Sequence, residues 1–315
     1  MQGALTVRLR TGRGRPINVK ASPEAAVFKR IAVVVNPASG SAGPDSVAEA
    51  ERILAAAGLD GQVTAPGEAG LVACLQAALD TGPDLLATVA GDGTARAAAE
   101  LCGPGGPLVA PLPGGTMNML PNALYGGRDW KTALADILED GVVKPVSGGV
   151  IAGRAFYVAA ILGSPALWAE AREAARRGDL SGALMRAQAA LRRAFSSRLR
   201  FRLEGRPRAK AEALALMCPL VSSAMDDDEG YLEAAAIDPG GALEIFRLGF
   251  RAALGDWRSD QTVEVTRIRA GTAWASGRIP AVLDGEPIRL GRIVSFRFKP
   301  VAFRALVPRE PGTVA

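Results

Sequence analysis

Three glycine-bearing stretches are the first residues whose types and spacing suggest chemistry: Asn36-Pro37-Ala38-Ser39-Gly40, Gly91-Asp92-Gly93-Thr94 and Pro113-Gly114-Gly115-Thr116-Met117-Asn118. Each follows an apolar run that reads as a buried strand, namely Ile31–Val35, Leu85–Val89 and Leu108–Ala110. Glycine lets a backbone approach a phosphate closely, and the amides of a following helix N-terminus donate to anions. Thr94 and Thr116 add hydroxyl donors, and Gly93 reads as a turn residue at positive φ. One such loop alone is more often a tight turn with an N-cap. Three at the carboxyl edge of one parallel sheet point to a ligand crevice. Gly12-Arg13-Gly14 follows no convincing strand and opens no helix, and neither a P-loop with its GK[ST] nor the protein-kinase motif set is present.

Far downstream, Asp284-Gly285-Glu286 places two carboxylates two residues apart. Asp-Gly is also a common hairpin signal, so without the upstream loops the plain reading is a surface turn. Histidine is absent, which excludes Ser-His-Asp and Cys-His machinery and every His-based metal site. A general base must therefore be a carboxylate, a lysine or a tyrosine. Cys74, Cys102 and Cys218 are widely spaced and form no CxxC pair, so a reducing interior fits better than a disulfide framework.

The elements that must position these residues read as two units. Helical stretches at Asp45–Ala57, Glu68–Leu79, Ala95–Leu101, Asn118–Leu124 and Trp130–Leu138 alternate with the strands above and a short one at Gln62–Ala65. Such alternation predicts a layered α/β sheet. After Gly141 the pattern changes. Val150–Ile161, Leu199–Leu203, Ala211–Leu216, Leu232–Ile237, Leu243–Leu248, Thr262–Ile268 and Ile293–Phe298 read as strands of an antiparallel sandwich, with a helical, Arg-rich insert at Ala166–Phe195. The expected division is a basic leader over 1–30, an α/β unit over 31–144, a β-rich unit over 145–308 and a tail over 309–315.

The 315 residues are 49% hydrophobic, 22% charged and only 5% aromatic, a globular composition whose core rests on Ala, Leu, Val and Ile. The net charge of +5 is unevenly placed. The leader carries Arg8, Arg10, Arg13, Arg15, Lys20, Lys29 and Arg30 against Glu24, and reads as a loose arm with a possible strand at Leu5–Leu9. It has no apolar run of signal-peptide length, and no membrane-spanning stretch is apparent anywhere, so a cytoplasmic protein is expected. From Arg172 to Arg208 there are 11 Arg against three acids, Glu173, Asp179 and Glu204, interleaved with Leu180, Leu184, Met185, Leu191 and Phe195. This is either a basic amphipathic segment that rests on anionic lipid or a solvated face. No aromatic-basic stacking motif speaks for nucleic acid.

NPxSG, GDGT, PLPGGTxN and a late DGE, in that order, resemble the diacylglycerol kinase catalytic family, which includes bacterial lipid kinases and the sphingosine and ceramide kinases and is more distantly similar to NAD kinases. The resemblance spans Ile31 to Pro308. It implies that Asn36, Pro37, Ser39 and Gly40, with Gly91, Asp92, Gly93 and Thr94, line an ATP site. Gly114, Gly115, Thr116 and Asn118 would help hold the nucleotide. It further implies that Asp284 is the base that accepts a proton from a lipid's primary hydroxyl, with Glu286 supporting it or contacting Mg2+. Family members often have a second glycine before GDGT, an Asn-Glu shortly after it and an Asn-Asp after the third loop. Here those places hold Ala90, Arg96-Ala97 and Asn118-Met119. Arg96 either contacts phosphate or alters metal placement. The family's second-domain metal site has two candidates, Asp228 in Asp226–Gly230 and Asp238 before Pro239-Gly240. The expectation is an ATP- and Mg2+-dependent kinase of diacylglycerol or of a sphingolipid such as ceramide, bound peripherally to the inner face of the membrane. The alternatives are a NAD kinase and a degenerate nucleotide- or lipid-binding protein.

Overall fold

The computed structural model describes residues 6–9, 17–20, 29–67, 70–163, 166, 199–222, 230–237 and 263–309. The leader contains an antiparallel strand pair, β1 (Thr6–Leu9) with β2 (Ile17–Lys20), the first of them within the stretch Leu5–Leu9 where a strand is expected in an otherwise loose arm. The Gly12-Arg13-Gly14 stretch lies outside the described residues.

The α/β unit follows in the order β3 (Ile31–Val35), α1 (Ser46–Ala56), β4 (Gly61–Thr64), α2 (Gly70–Asp80), β5 (Leu85–Ala90), α3 (Asp92–Cys102), β6 (Leu108–Pro113), α4 (Met119–Tyr125) and α5 (Trp130–Asp140). Every residue of β3, β5 and β6 is buried, as parallel strands covered on both faces must be. The helices earn their places by periodicity. Helix α1 buries Ser46, Ala50 and Leu54 at a four-residue spacing, and α3 buries Ala95, Ala98, Ala99 and Cys102. Asp129 caps α5, its carboxylate accepting from the amides of Lys131 and Thr132.

The second unit is built from β7 (Gly141–Ile151), β8 (Arg154–Phe156), β9 (Ala159–Gly163), β10 (Leu199–Leu203), β11 (Arg208–Ala211), β12 (Ala213–Met217), β13 (Leu232–Ile237), β14 (Val263–Ile268), β15 (Ala270–Trp274), β16 (Pro280–Leu283), β17 (Glu286–Arg289) and β18 (Ile293–Pro308). An antiparallel sheet runs β14-β13-β12-β9-β16-β17. It packs against the other sheet over Ile151, Phe156, Leu162, Phe201, Leu214, Leu283 and Phe296, a sandwich core as the alternation predicts.

The other sheet has ten strands and joins both units. Its order is β11-β10-β15-β18-β6-β5-β3-β4, with β7 also on β18 and β8 on β7. The joint is β18. Its first half pairs with β15, and its second half lies parallel to β6, with Ala305 opposite Val109. The β7–β18 ladder shifts register between Lys299 and Phe303. From β7, strand pairing therefore runs without a break across residue 144.

Some expectations change. The stretch Val150–Ile161 is not one strand: turns with Ala152 and Gly153 at positive φ, then Tyr157-Val158, divide it among β7, β8 and β9. Strand Ile293–Phe298 continues ten residues further. Strands β15, β16 and β17 escaped notice because they are short and carry Gly271, Pro280 and Pro287. Leu243–Leu248 and the Arg-rich insert beyond Ala166 lie outside the described residues. Among the described residues no helix is long and apolar enough to cross a membrane.

Candidate active site

The three glycine-bearing loops meet at the carboxyl edge of β3, β5 and β6, and their backbones touch. The Ser41 amide donates to the Gly114 carbonyl at 3.0 Å and the Ser41 hydroxyl to the Gly115 carbonyl at 2.9 Å. The Asn36 amide donates to the Val89 carbonyl, and the Asn36 side chain accepts from the Ala38 amide, turning the first loop back. A Cβ on Gly114 would lie 2.4 Å from the Ala90 nitrogen, and one on Gly115 would lie 2.6 Å from the Gly91 Cα. These two positions hold glycine because neighbouring backbone fills the space a side chain would need.

Asn118 closes the third loop. Its Oδ1 accepts from the Gly115 amide at 2.7 Å, its Nδ2 donates to the Gly115 carbonyl, and its own backbone is left-handed with φ 50°. Asparagine tolerates that conformation better than most residues. The second loop differs from expectation. Asp92, Gly93 and Thr94 are not a loop ahead of a helix but the first turn of α3, with Gly91 as N-cap. Gly93 is not at positive φ; a Cβ there would instead run into the Glu286 carboxylate. Thr94 is 8% exposed, inside the turn rather than on its open side.

Asp284 and Gly285 are the two central residues of the β16–β17 hairpin, at φ 46° and 87°. Two positive φ values between paired strands make a primed turn, the geometry that Asp-Gly favours. The hairpin reading is thus correct, yet the turn is not on the surface. Asp284 is 1% exposed. Its Oδ2 accepts from the Tyr157 amide at 2.8 Å, and its Oδ1 accepts from the amides of Val158 and Ala159 at 2.8 and 3.0 Å. Burial pushes its pKa up to about 6, against the pull of those three amides and of Arg96. Asp92 is likewise raised to about 6 by burial, opposed by the amides of Leu120, Met119 and Asn118 and reinforced by the nearby Glu286 carboxylate. Glu286, 41% exposed at its side chain, forms an ion pair with Arg96, which is 14% exposed. The Gly285 side of the turn faces Met119 Sδ, 3.2 Å from where a Cβ would be.

A cavity of about 490 Å³ collects these parts. Its walls are Ala38, Ser39, Gly40, Gly91, Asp92, Gly93, Gly115, Thr116 and Met117 from the α/β unit, and Asp284, Gly285, Glu286 and Pro287 from the hairpin. Of the residues expected to bind nucleotide, Ser39, Gly40, Gly91, Asp92, Gly93, Gly115 and Thr116 line it. Asn36, Pro37, Thr94, Gly114 and Asn118 do not line it. Residues 30–150 match the diacylglycerol kinase catalytic domain family. The fold is shared with a diacylglycerol kinase from Bacillus anthracis, at TM-score 0.64 and 16% identity over 92% of this chain and 100% of that one. It also resembles a NAD kinase from Archaeoglobus fulgidus in complex with ATP, at TM-score 0.50 and 12% identity over 89% of this chain and 94% of that one. No curated protein matches the sequence.

Two of the three places where the sequence departs from the matched family's pattern meet the same hairpin turn. Arg96 reaches Glu286, and Met119 packs on the hairpin turn, so both unusual residues hold the β16–β17 turn against the α/β unit. The amides of Tyr157, Val158 and Ala159 were not legible in advance, because a backbone donor leaves no mark in residue type. Asp228 and Asp238, the expected metal ligands, lie outside the described residues. Among the described residues no group of three or more acidic or sulfur side chains converges on a metal position.

Proposed function

We propose that this protein transfers the γ-phosphoryl group of ATP to the primary hydroxyl of a membrane lipid, a diacylglycerol or a sphingolipid such as ceramide. The observation that carries the reading is the single cavity walled on one side by the three glycine-bearing loops and on the other by the Asp284–Pro287 hairpin. The open amide edges of such loops suit phosphate oxygens, and the hairpin brings one buried carboxylate to the same space.

Asp284 acts as general base. Three amides fix its orientation, and Oδ2 accepts from only one of them, which leaves it acceptor capacity for a substrate hydroxyl. With a pKa of about 6 it is ionised at neutral pH and still basic enough to take the proton as the bond to phosphorus forms. Glu286, held by Arg96, sits over the first turn of α3, where the transferring phosphate would approach. Mg2+ asks for only one or two protein carboxylates when phosphates supply its other ligands, and Asp92 and Glu286 on the cavity wall fit that demand. When bound, the ion neutralises charge on the phosphates.

The test is phosphoryl transfer from labelled ATP to detergent-dispersed diacylglycerol, ceramide and sphingosine, with soluble NAD in parallel. Label in a lipid product is the expected result. Label in NAD alone would assign the chain to the other activity, and label in none of them would leave a binding protein.

A further inference from the structure

The outer face of the ten-stranded sheet carries a basic surface that the cavity does not use. Strand alternation puts it there. Leu199, Phe201 and Leu203 of β10 point into the sandwich core, so Arg200 and Arg202 point outward. Cross-strand register sets Lys210 and Arg208 of β11 beside them, and Trp274 and Thr272 of β15 on the other side. The next strand, β18, adds Ile293 and Ser295 in the same rows, with Arg297 two residues further along the same face. All five cations are exposed, and Ile293 is 72% exposed. The Arg208 guanidinium lies 5.8 Å from the Trp274 ring centroid. The face floors an open groove of about 960 Å³ whose charged lining is Arg202, Arg206 and Arg297 against one acid, Glu204.

We propose that this sheet face docks the protein on an anionic lipid surface. Like charges set directly opposite each other, as in the Arg200–Lys210 and Arg202–Arg208 pairs, repel unless a counter-charge covers them. The face therefore calls for an extended polyanion. An aromatic and an aliphatic side chain standing among the cations match the headgroup boundary, where charge and apolar surface are met together. Charge continuity points the same way, since the chain enters β10 directly from the stretch beginning at Arg172. This inference rests on the lipid-kinase reading, for which it supplies the surface that brings the enzyme to its substrate.

The experiment compares wild type with a variant carrying Arg200→Gln, Arg202→Gln, Arg208→Gln and Lys210→Gln, sedimented with phosphatidylcholine vesicles with and without phosphatidylserine. Each cation near an anionic surface contributes about fivefold to partitioning, so the variant should lose on the order of a hundredfold or more. Wild type should bind only the anionic vesicles and release them at high salt. A charge-preserving variant, Arg200→Lys with Arg202→Lys and Arg208→Lys, should bind as wild type does, which separates charge from folding. Replacing Arg30, Arg52, Lys131 and Arg278 with Gln should leave binding intact; an equal loss there would reduce the effect to net charge and overturn the proposal. Undiminished vesicle binding by the first variant would overturn it too, as would duplex RNA or DNA binding more tightly than vesicles through the same four residues. Turnover on a short-chain soluble diacylglycerol keeps the two readings apart. Turnover with vesicle binding indifferent to the four residues removes only the docking face, whereas binding that depends on them without turnover on any lipid removes only the kinase.

Discussion

Asp284 shows how one residue can satisfy a turn and a site at once. Its left-handed backbone is what the hairpin needs, and its buried carboxylate is bound by three amides. Asp284→Asn should lower turnover by about two to four orders of magnitude while ATP affinity changes little. The substitution also puts an amide donor opposite a backbone donor, so it should cost about 1–3 kcal/mol of stability, read separately by thermal melting. Wild-type turnover in a folded Asn variant would remove Asp284 from the mechanism. The two raised carboxylates predict that kcat/KM rises with pH through about 6. Arg96 lowers the Asp284 pKa, so Arg96→Gln should move that acid limb to higher pH. Glu286 raises the Asp92 pKa, so Glu286→Gln should shift the Asp92 titration the opposite way, measurable by carboxylate NMR in the apo protein. Profiles that do not move would show that the Arg96–Glu286 pair is electrically idle.

The loops and α3 form a single unit whose tolerance to substitution differs from point to point. A Cβ at Gly114 meets the backbone of Ala90 and Val89, which cannot move without opening β5 from the loop. Gly114→Ala should therefore destabilise the fold by about 1–3 kcal/mol, seen as a lowered melting temperature. A Cβ at Gly93 meets only the end of the Glu286 side chain, which can swing away. Gly93→Val should consequently leave melting nearly unchanged but abolish ATP binding in calorimetry, because the displaced carboxylate and the new methyl groups occupy the cavity. Unchanged ATP affinity in folded Gly93→Val would make this turn structural only.

Across the molecule, β18 makes the two units interdependent. It supplies the neighbour of β6, and the buried Tyr125 hydroxyl donates to its Leu306 carbonyl at 2.9 Å. A fragment of residues 29–144 should show no cooperative unfolding transition by circular dichroism, since cutting there exposes the edge of β6 and orphans Tyr125. A sharp melt of that fragment would refute this. Stability should also depend on pH in a definite direction. Asp92 and Asp284 bind protons more tightly folded, at about 6, than unfolded, near 3.8. Their contribution is thus full below about 3.8 and is lost as pH rises through 6. Asp84 and Asp129, whose pKa values are lowered by hydrogen bonds, act the opposite way below about 3.8. The melting temperature should rise as pH falls from 7 to 5, and a flat profile would show that the two buried carboxylates are not perturbed.

Much of this was already written in residue order. The runs Ile31–Val35 and Leu85–Ala90 are apolar throughout because both sheet faces are covered, and the glycines after them announce close backbone approach. Local physics fixes such features, so they can be read locally. The strand at Leu199–Leu203 alternates for the same kind of reason, one face buried and one wet. Three things had to wait for tertiary structure. The Asp284 carboxylate is buried because Tyr157, Val158 and Ala159, more than a hundred residues earlier, present their amides to it. Arg96 finds Glu286 across 190 residues of chain. Strand β18 passes between units because it completes the edge of β6 as well as the sandwich. None of these follows from residue type or spacing, since each pairs a side chain or a strand edge with backbone or charge brought near only by the fold.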